Sequence, residues 1–283
     1  MQAVATGYGL IEGPVWDAAK GLYFSDVLNG GVSLLDRQGK VSVAIEKRRG
    51  IGGMALHVAG GLVVGGRDIA FISLSDGRSK VLLTKEVTPV AIGFNDLTTD
   101  KAGRIYVGSL AYRVFGGETP RPGHLHVIDL DGSVRTISDG IMLTNGLGVS
   151  PDGKRLYHSD ARGGLVRVYD VQPDGSVGPW RQFASLGETS VADGLKVAAD
   201  GSVWVADAHG GRVAVYEPDG RHRQDLAVPL PMVTSLCFAG DDLRDLYVVT
   251  GSNGGPHANC GTVFRTRVDV AGLPLAPARV AID

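Results

Sequence analysis

The sequence has few of the features that mark several common protein classes. It contains two cysteines, Cys237 and Cys260, which form neither a C-x-x-C metal-ligand pair nor a disulfide framework. No apolar run approaches the roughly 18 residues that span a bilayer. The N-terminus also lacks the basic and apolar segments of a signal peptide. We therefore expect a soluble protein of the reducing cytoplasm with no membrane partner.

The sequence also lacks an excess of positive or negative charge. The 28 Lys and Arg residues stand against 30 Asp and Glu residues, for a formal net charge of −2. Nucleic-acid binding calls for a basic excess, so no nucleic-acid partner is expected. No G-x-S-x-G, H-E-x-x-H or G-x-x-x-x-G-K-[ST] string occurs. The commonest signatures of serine hydrolases, zinc proteases and phosphate-binding loops are therefore excluded.

Glycine, in contrast, is abundant, and its 42 residues among 283 indicate many tight turns. A short pattern rich in β-branched and aromatic residues recurs between these turns, as expected for a repeated strand. Its six copies are LYFSD 22–26, LVVGG 62–66, IYVGS 105–109, LYHSD 156–160, VWVAD 203–207 and LYVVT 246–250. A second alternating run follows each copy, and a further short segment usually closes the unit. In the sixth unit this last segment would be ARVAI at 278–282.

The spacing of the repeat indicates the fold class. The strand before each copy starts, in the same phase, at Glu12, Gly52, Asn95, Asn145, Asp193 and Thr234. Four strands in about 40 to 50 residues is the size of a propeller blade. We predict an all-β chain, residues 1–283 forming one domain, folded as a six-bladed β-propeller with four antiparallel strands per blade. A stacked sandwich is the alternative, but six units in one phase favour the radial arrangement.

The six starting positions are predicted to converge at one mouth of the propeller axis, and we call them the ring. They supply two carboxylates, two amides, one hydroxyl and one glycine. Two converging carboxylates repel unless a cation lies between them. Because the ring offers oxygen atoms and no His, calcium is the first choice, with magnesium, manganese or zinc as alternatives. The other interpretation is a solvated channel mouth, in which Asn-Gly and Asp-Gly are ordinary turn dipeptides.

Around these positions the sequence resembles the senescence marker protein 30, gluconolactonase and luciferin-regenerating enzyme family of six-bladed propellers. The resemblance rests on EGPVWDAAKGLYFSD from Glu12, FNDLTTDKAGRIYVGS from Phe94, TNGLGVSPDGKRLYHSD from Thr144, ADGLKVAADGSVWVA from Ala192 and the closing VDVAGLPLAPARV. It implies that Glu12, Asn145 and Asp193 bind one divalent metal ion. It also implies that Asn95 contacts the substrate or a metal-bound water, and that Asp193 is the acid–base residue.

The activity that the resemblance implies is a metal-dependent lactonase, in which water opens a lactone ring, the metal polarises the carbonyl group and Asp193 is the general base. Two departures from the sugar-lactonase pattern are Gly93, where those enzymes carry Arg, and Arg113, in a loop where they place a carboxylate. They favour a less polar small-molecule lactone or ester over a polyhydroxylated aldonolactone. The alternatives are a phosphotriesterase- or arylesterase-type hydrolase on the same site, and a non-catalytic, metal-stabilised platform for protein binding.

Two long loops supply candidate substrate contacts. They span residues 110–123 and 251–261 and follow the second strand of a blade, which returns the chain to the mouth that holds the ring. The predicted substrate-binding residues on them are Tyr112, Arg113, Phe115 and His257. The alternative for each is a solvated loop side chain. The physiological substrate and the oligomeric state stay open.

Overall fold

Glycine-rich turns divide the chain into 24 short strands in the computed structural model, which describes residues 1–282. Strand β1 (Gln2–Tyr8) precedes the first blade, which comprises β2 (Ile11–Asp17), β3 (Gly21–Asp26), β4 (Val32–Asp36) and β5 (Val41–Ile45). The second and third blades comprise β6 (Met54–His57), β7 (Gly61–Val64), β8 (Ile69–Ser73), β9 (Ser79–Leu83), β10 (Gly93–Thr99), β11 (Ile105–Leu110), β12 (Gly123–Ile128) and β13 (Val134–Ile141).

The later blades follow the same order of strands. They comprise β14 (Thr144–Val149), β15 (Arg155–Asp160), β16 (Leu165–Asp170), β17 (Arg181–Ser185), β18 (Ala192–Val197), β19 (Val203–Asp207), β20 (Arg212–Tyr216), β21 (His222–Ala227), β22 (Val233–Ala239), β23 (Asp245–Thr250) and β24 (Gly261–Arg267). The helical segments of residues 1–282 are two 3₁₀ turns, Lys85–Val87 and Ala161–Gly163. Within that part of the chain, no helix has the length and apolar content to cross a membrane.

The strands form six antiparallel sheets of four strands each. In five sheets the strands pair in sequence order, from an inner strand beside the axis to an outer strand. Large side chains pack where neighbouring blades meet: the Trp204 ring lies 5.2 Å from that of Phe238, and the Trp16 ring stacks on Tyr247 at 6.2 Å. Burial of side chains of this size contributes about 1.5–3 kcal/mol each. The predicted six-bladed β-propeller is confirmed.

The outer strand of the sixth blade corrects one sequence expectation. Strand β1 pairs antiparallel with β24, with Gln2 opposite Arg265 and Tyr8 opposite Gly261. The sheet order is therefore β1-β24-β23-β22, and the assignment of residues 278–282 to this strand is wrong. The physical reason is that β1 already covers the hydrogen-bonding edge of β24. Pairing of the two ends of the chain in one sheet closes the ring of blades.

The C-terminal tail instead crosses the mouth of the axial channel opposite the ring. The Leu273 amide donates to the Val197 carbonyl at 3.2 Å, and the Ala278 amide donates to the Leu56 carbonyl at 2.7 Å. The Thr99 hydroxyl donates to the carbonyl oxygen of Ala276 at 2.5 Å. These contacts lie at the ends of three inner strands. The tail therefore covers the mouth opposite the ring.

Candidate metal and active site

Backbone bulges set the direction of the polar ring side chains. In five blades the pairing of the inner strand with the second strand shifts register, between Glu12 and Val15, Phe94 and Leu97, Thr144 and Leu147, Ala192 and Leu195, and Val233 and Ser235. A bulge leaves a residue unpaired and re-aims its side chain. Each shift falls at a polar ring position. As a result, Glu12, Asn95, Asn145 and Asp193 all line one cavity at the mouth of the axis.

The cavity has a volume of ≈1310 Å³, larger than the roughly 300–1,000 Å³ typical of small-molecule sites. Glu12, Asn145 and Asp193 are buried at its wall, with exposed fractions of 6–7%. Thr234, in contrast, bonds to the backbone and does not line the described cavity. Its hydroxyl lies 2.5 Å from the Ile11 carbonyl and joins the sixth blade to the first. The converging set of side chains is thus two carboxylates and two amides.

Gly52 leaves the space that the Asn95 side chain occupies. A Cβ atom at Gly52 would lie 1.9 Å from Oδ1 of Asn95. The Asn95 Nδ2 atom donates to the Thr144 carbonyl oxygen and to Oδ1 of Asn145, each at 2.8 Å. Both amide hydrogens are therefore used, and the orientation of Asn95 is fixed. Oδ1 of Asn145 retains a second lone pair for a cation.

Replacing this glycine tests the packing. Gly52→Ala should push the Asn95 amide away from Asn145, because the new methyl group and Oδ1 cannot share the space. We expect unchanged blades but the hydrolase activity predicted from the sequence reduced by about tenfold or more, since active-site misplacement of about 1 Å is costly. A crystal structure and steady-state kinetics measure the two effects. Gly178→Ala is the control for glycine replacement, because a Cβ atom there would meet only the Asp170 carbonyl oxygen, at an ordinary contact distance of 3.8 Å. An unmoved Asn95 would contradict the explanation.

The two carboxyl groups of the ring each carry an unsatisfied oxygen. Within residues 1–282, Oε2 of Glu12 and Oδ1 of Asp193 are buried and have no hydrogen-bond partner. Burial raises the pKa of Glu12 well above its usual range, and the charge of Asp193 raises it further. Burial likewise raises the pKa of Asp193, with a further contribution from Asp96. Unpaired buried oxygens of this kind are suited to a cation.

The charges in the channel also match a divalent cation. Asp96 follows Asn95 on β10 and is 5% exposed, and burial raises its pKa to about 6. The Lys196 ammonium lowers the pKa of both Asp96 and Glu12. Three carboxylates and one ammonium leave a charge of −2 when all are ionised. A divalent cation would neutralise this group, and the residues present therefore fit one.

Sequence analysis missed three aspartates that brace the ring. Asp26, Asp160 and Asp207 end the second strand of the blades that carry Glu12, Asn145 and Asp193. Their carboxylates accept hydrogen bonds from the backbone amides of Gly9 and Leu10, of Met142 and Leu143, and of Val191, at 2.9–3.3 Å. Each amide lies two or three residues before a ring residue. The recurrence of Asp in LYFSD, LYHSD and VWVAD was the available signal.

Within residues 1–282, only one of the two predicted substrate-binding loops lines the cavity. Tyr112, Arg113 and Phe115 line the cavity, with Tyr112 buried and Phe115 76% exposed. His257 is exposed and lies outside the described lining of the cavity. Its loop is held at the sixth blade because the Ser252 hydroxyl donates to the Tyr8 carbonyl at 2.9 Å and accepts from the Gly261 amide at 3.0 Å. The structure therefore brings three of the four loop residues to the ring's cavity.

The sequence of the propeller matches a known family along most of its length. Residues 10–252, which include all six ring positions, match the family described as the SMP-30/gluconolactonase/LRE-like region. The chain belongs to this family. The family resemblance predicted from the motifs is thus confirmed.

Relatives within the SMP-30/gluconolactonase/LRE-like family cover the whole propeller. The chain is 30% identical to pentonolactonase XacC of Haloferax volcanii, over 96% of each chain. It is 31% identical to a 6-deoxy-6-sulfogluconolactonase of Pseudomonas putida, over 92% of each. The crystal structure of a calcium-binding protein, regucalcin, from Agrobacterium tumefaciens superposes with a TM-score of 0.86 at 21% identity, covering 99% of this chain and 97% of that chain.

Proposed function

We propose that this protein is a metal-dependent lactonase acting at the ring. The observation that carries the proposal is the pair of unsatisfied buried carboxylate oxygens, on Glu12 and Asp193, at the wall of a large cavity. A platform for protein binding does not require converging acids at its axis. The lactonase names of the Haloferax and Pseudomonas relatives support hydrolysis of a lactone.

Glu12, Asn145 and Asp193 would hold the divalent cation. Calcium is the first choice because the donors are carboxylate and amide oxygens, which hard cations prefer. The description of the Agrobacterium relative as calcium-binding supports the same choice. Magnesium, manganese and zinc are the alternatives. When bound, the cation would polarise the lactone carbonyl group and stabilise the negative charge that develops on its oxygen.

The remaining chemistry belongs to the side chains. Asp193 would hold the cation through one carboxylate oxygen and accept a proton from the attacking water with the other. The Gly194 amide stabilises the ionised Asp193 carboxylate and lowers its pKa against the effect of burial. Asn95 uses both amide hydrogens on Thr144 and Asn145. Its Oδ1 atom is left as an acceptor that would orient the water or a substrate hydroxyl.

A less polar lactone or ester is the proposed substrate class. At Gly93, where sugar-lactone members carry Arg, a Cβ atom would lie 3.0 Å from the Gly66 carbonyl oxygen. The close backbone therefore disfavours any side chain at this position. Without that guanidinium, a polyhydroxylated ring would lose one of its polar contacts. We propose the cytoplasm as the protein's compartment, because Cys237 and Cys260 are unpaired.

A substrate panel tests the proposal. The purified protein is assayed on aliphatic and sugar lactones, an aryl ester and paraoxon, with calcium or with EDTA. We expect lactone hydrolysis that EDTA abolishes and calcium restores. Chelator-sensitive turnover of the aryl ester or of paraoxon alone would favour the alternative hydrolases. No chelator-sensitive turnover of any compound would favour the non-catalytic platform.

A further inference from the structure

The wall of the cavity beyond the ring is largely apolar. Aliphatic side chains from several blades line it, namely Leu10, Val27, Ile92, Leu110, Leu143 and Met232. A substrate hydroxyl that faced these side chains would lose its hydrogen bonds to water without replacing them, which costs about 1–3 kcal/mol each. The aliphatic part of the wall therefore favours a substrate portion that is poor in hydroxyl groups.

Three arginines also line this cavity, and their charges are not equally available. The Arg67 guanidinium lies 3.1 Å from a carboxylate oxygen of Asp68, which Arg48 also contacts at 2.6 Å, and the Arg113 guanidinium lies 3.6 Å from a carboxylate oxygen of Glu118. Within residues 1–282, the guanidinium of Arg162 has no carboxylate oxygen within 4.0 Å. Its positive charge therefore has no counter-ion in the described chain.

The backbone that carries Arg162 is fixed from several sides. Arg162 lies in the 3₁₀ turn Ala161–Gly163, after the second strand of the blade that carries Asn145. The Ala161 amide donates to the Leu143 carbonyl at 2.9 Å, and the Leu143 amide donates to the Asp160 carboxylate at 3.0 Å. The starting point of the Arg162 side chain is therefore set relative to the ring.

Tyr112 supports the guanidinium at the cavity wall. Its hydroxyl is buried and makes no hydrogen bond of ordinary geometry in the described chain. Burial raises the pKa of Tyr112, while the positive charge of Arg162 lies close enough to oppose that rise. The phenol thus lies next to the guanidinium of Arg162. The nearby Asp160 carboxylate, which also raises the pKa of Tyr112, is paired with Arg167 at 2.7 Å. Glu188 lines the same cavity and, within residues 1–282, lies more than 4.0 Å from the Arg162 guanidinium. This corner of the cavity therefore presents a cation and a hydroxyl to a ligand.

We propose that Arg162 selects lactones that carry a carboxylate on an otherwise hydroxyl-poor ring, and that Tyr112 is the positioning residue for its guanidinium. The inference rests on the proposed lactonase function and names the substrate class of the same site. A guanidinium matches a carboxylate through two parallel hydrogen bonds, which gives orientation as well as attraction. The apolar wall would contact the hydrocarbon part of the ring, while the lactone carbonyl faces Glu12, Asn145 and Asp193.

A matched pair of substrates tests the inference. The calcium-loaded protein is assayed on a γ-butyrolactone with a carboxylate substituent at C4 and on the corresponding carboxamide. We expect kcat/KM to be about 10- to 100-fold higher for the carboxylate, the range for a hydrogen bond to a charged group. Arg162→Gln should bring this ratio close to one, mainly through KM for the carboxylate. Arg162→Lys should retain part of the preference, since it keeps the charge but not the bidentate geometry.

Two further variants separate charge from structure. Arg67→Gln is the matched control, because the Arg67 side chain contacts Asp68 and is 88% exposed to solvent, and it should keep the wild-type ratio. Tyr112→Phe should reduce the ratio by a smaller factor and raise KM for the carboxylate while leaving its kcat little changed. A merely structural role of Tyr112 would instead lower the melting temperature and affect both substrates alike.

The wild-type protein alone supplies a second measurement. Glutarate should inhibit hydrolysis of the neutral lactone more strongly than glutaramide does. Equal turnover of the two lactones, or equal inhibition by the two compounds, would overturn the inference while leaving the lactonase proposal intact. If neither these lactones nor any other lactone is hydrolysed, the lactonase proposal fails and this inference fails with it.

Discussion

Asp193→Asn is expected to lower lactone turnover by roughly 10²- to 10⁴-fold, the usual contribution of a general base. Asn has nearly the same shape as Asp, so the bulge of β18 and the backbone around Gly194 should stay in place. What changes is that the amide cannot take a proton from the attacking water. The measurement is kcat for the best lactone of the substrate panel, at saturating calcium to offset weaker cation binding, together with the melting temperature.

A matched replacement on the surface isolates the role of the site. Asp219→Asn makes the same chemical change in an exposed turn, where Asp219 contacts Arg221. This control should retain wild-type kcat. Unimpaired turnover by the Asp193→Asn protein would contradict the assignment of Asp193 as the base. A loss of turnover accompanied by unfolding would count against the prediction of an intact fold.

The cation-free protein is expected to become less stable as the pH rises from 5 to 8. Burial raises the pKa values of Glu12 and Asp193, and it raises that of Asp96 to about 6. The folded state therefore binds these protons more tightly than the unfolded state does. The resulting stabilisation is complete below the unfolded pKa values near 4 and is lost as the pH rises through the folded values.

The size of this loss can be approximated from Asp96. A rise of about two pKa units corresponds to about 3 kcal/mol. For a chain of this length, each kcal/mol shifts the melting temperature by about 2–4 °C. Because pH 5 already lies midway between the unfolded value near 4 and the folded value of about 6, only about half of this stabilisation, roughly 1.5 kcal/mol, is lost between pH 5 and pH 8. Asp96 alone should therefore lower the melting temperature by roughly 3–6 °C across this range in cation-free buffer. Calcium should reverse the trend, because it replaces the lost protons and adds about 2.7 kcal/mol at 100 times its Kd.

The Glu12→Gln, Asp193→Asn double variant is the control for this pH dependence. Its amides do not titrate, so its melting temperature should fall less between pH 5 and pH 8 and should respond less to calcium. Cation-free wild-type protein whose melting temperature rises across this pH range would contradict the explanation. A strong calcium response in the double variant would place the cation elsewhere.

Much of the fold and the composition of the candidate site could be predicted because the repeat keeps one phase. The phase that placed LYFSD and LYHSD in equivalent strands also placed Glu12 and Asn145 at equivalent starting positions. The outer strand of the sixth blade could not be predicted in this way. Either β1 or residues 278–282 could pair with the outer edge of β24, and the alternation of residues within each segment does not distinguish them. The recurrence of Asp26, Asp160 and Asp207 was visible in the sequence, but the partners of Asp26 were not, because Gly9 and Leu10 lie in a loop.

The periodic pattern of strands and turns was sufficient to establish six blades and the residue type at each position around the axis, since both follow from local alternation and spacing. Contacts between blades determined how those residues are used. Asn95 fills the space next to Gly52, and the Thr234 hydroxyl donates to the Ile11 carbonyl. Ser252 holds the loop of His257 at the sixth blade. Such contacts join residues far apart in the chain, and a spacing of 40 to 50 residues carries no information about them.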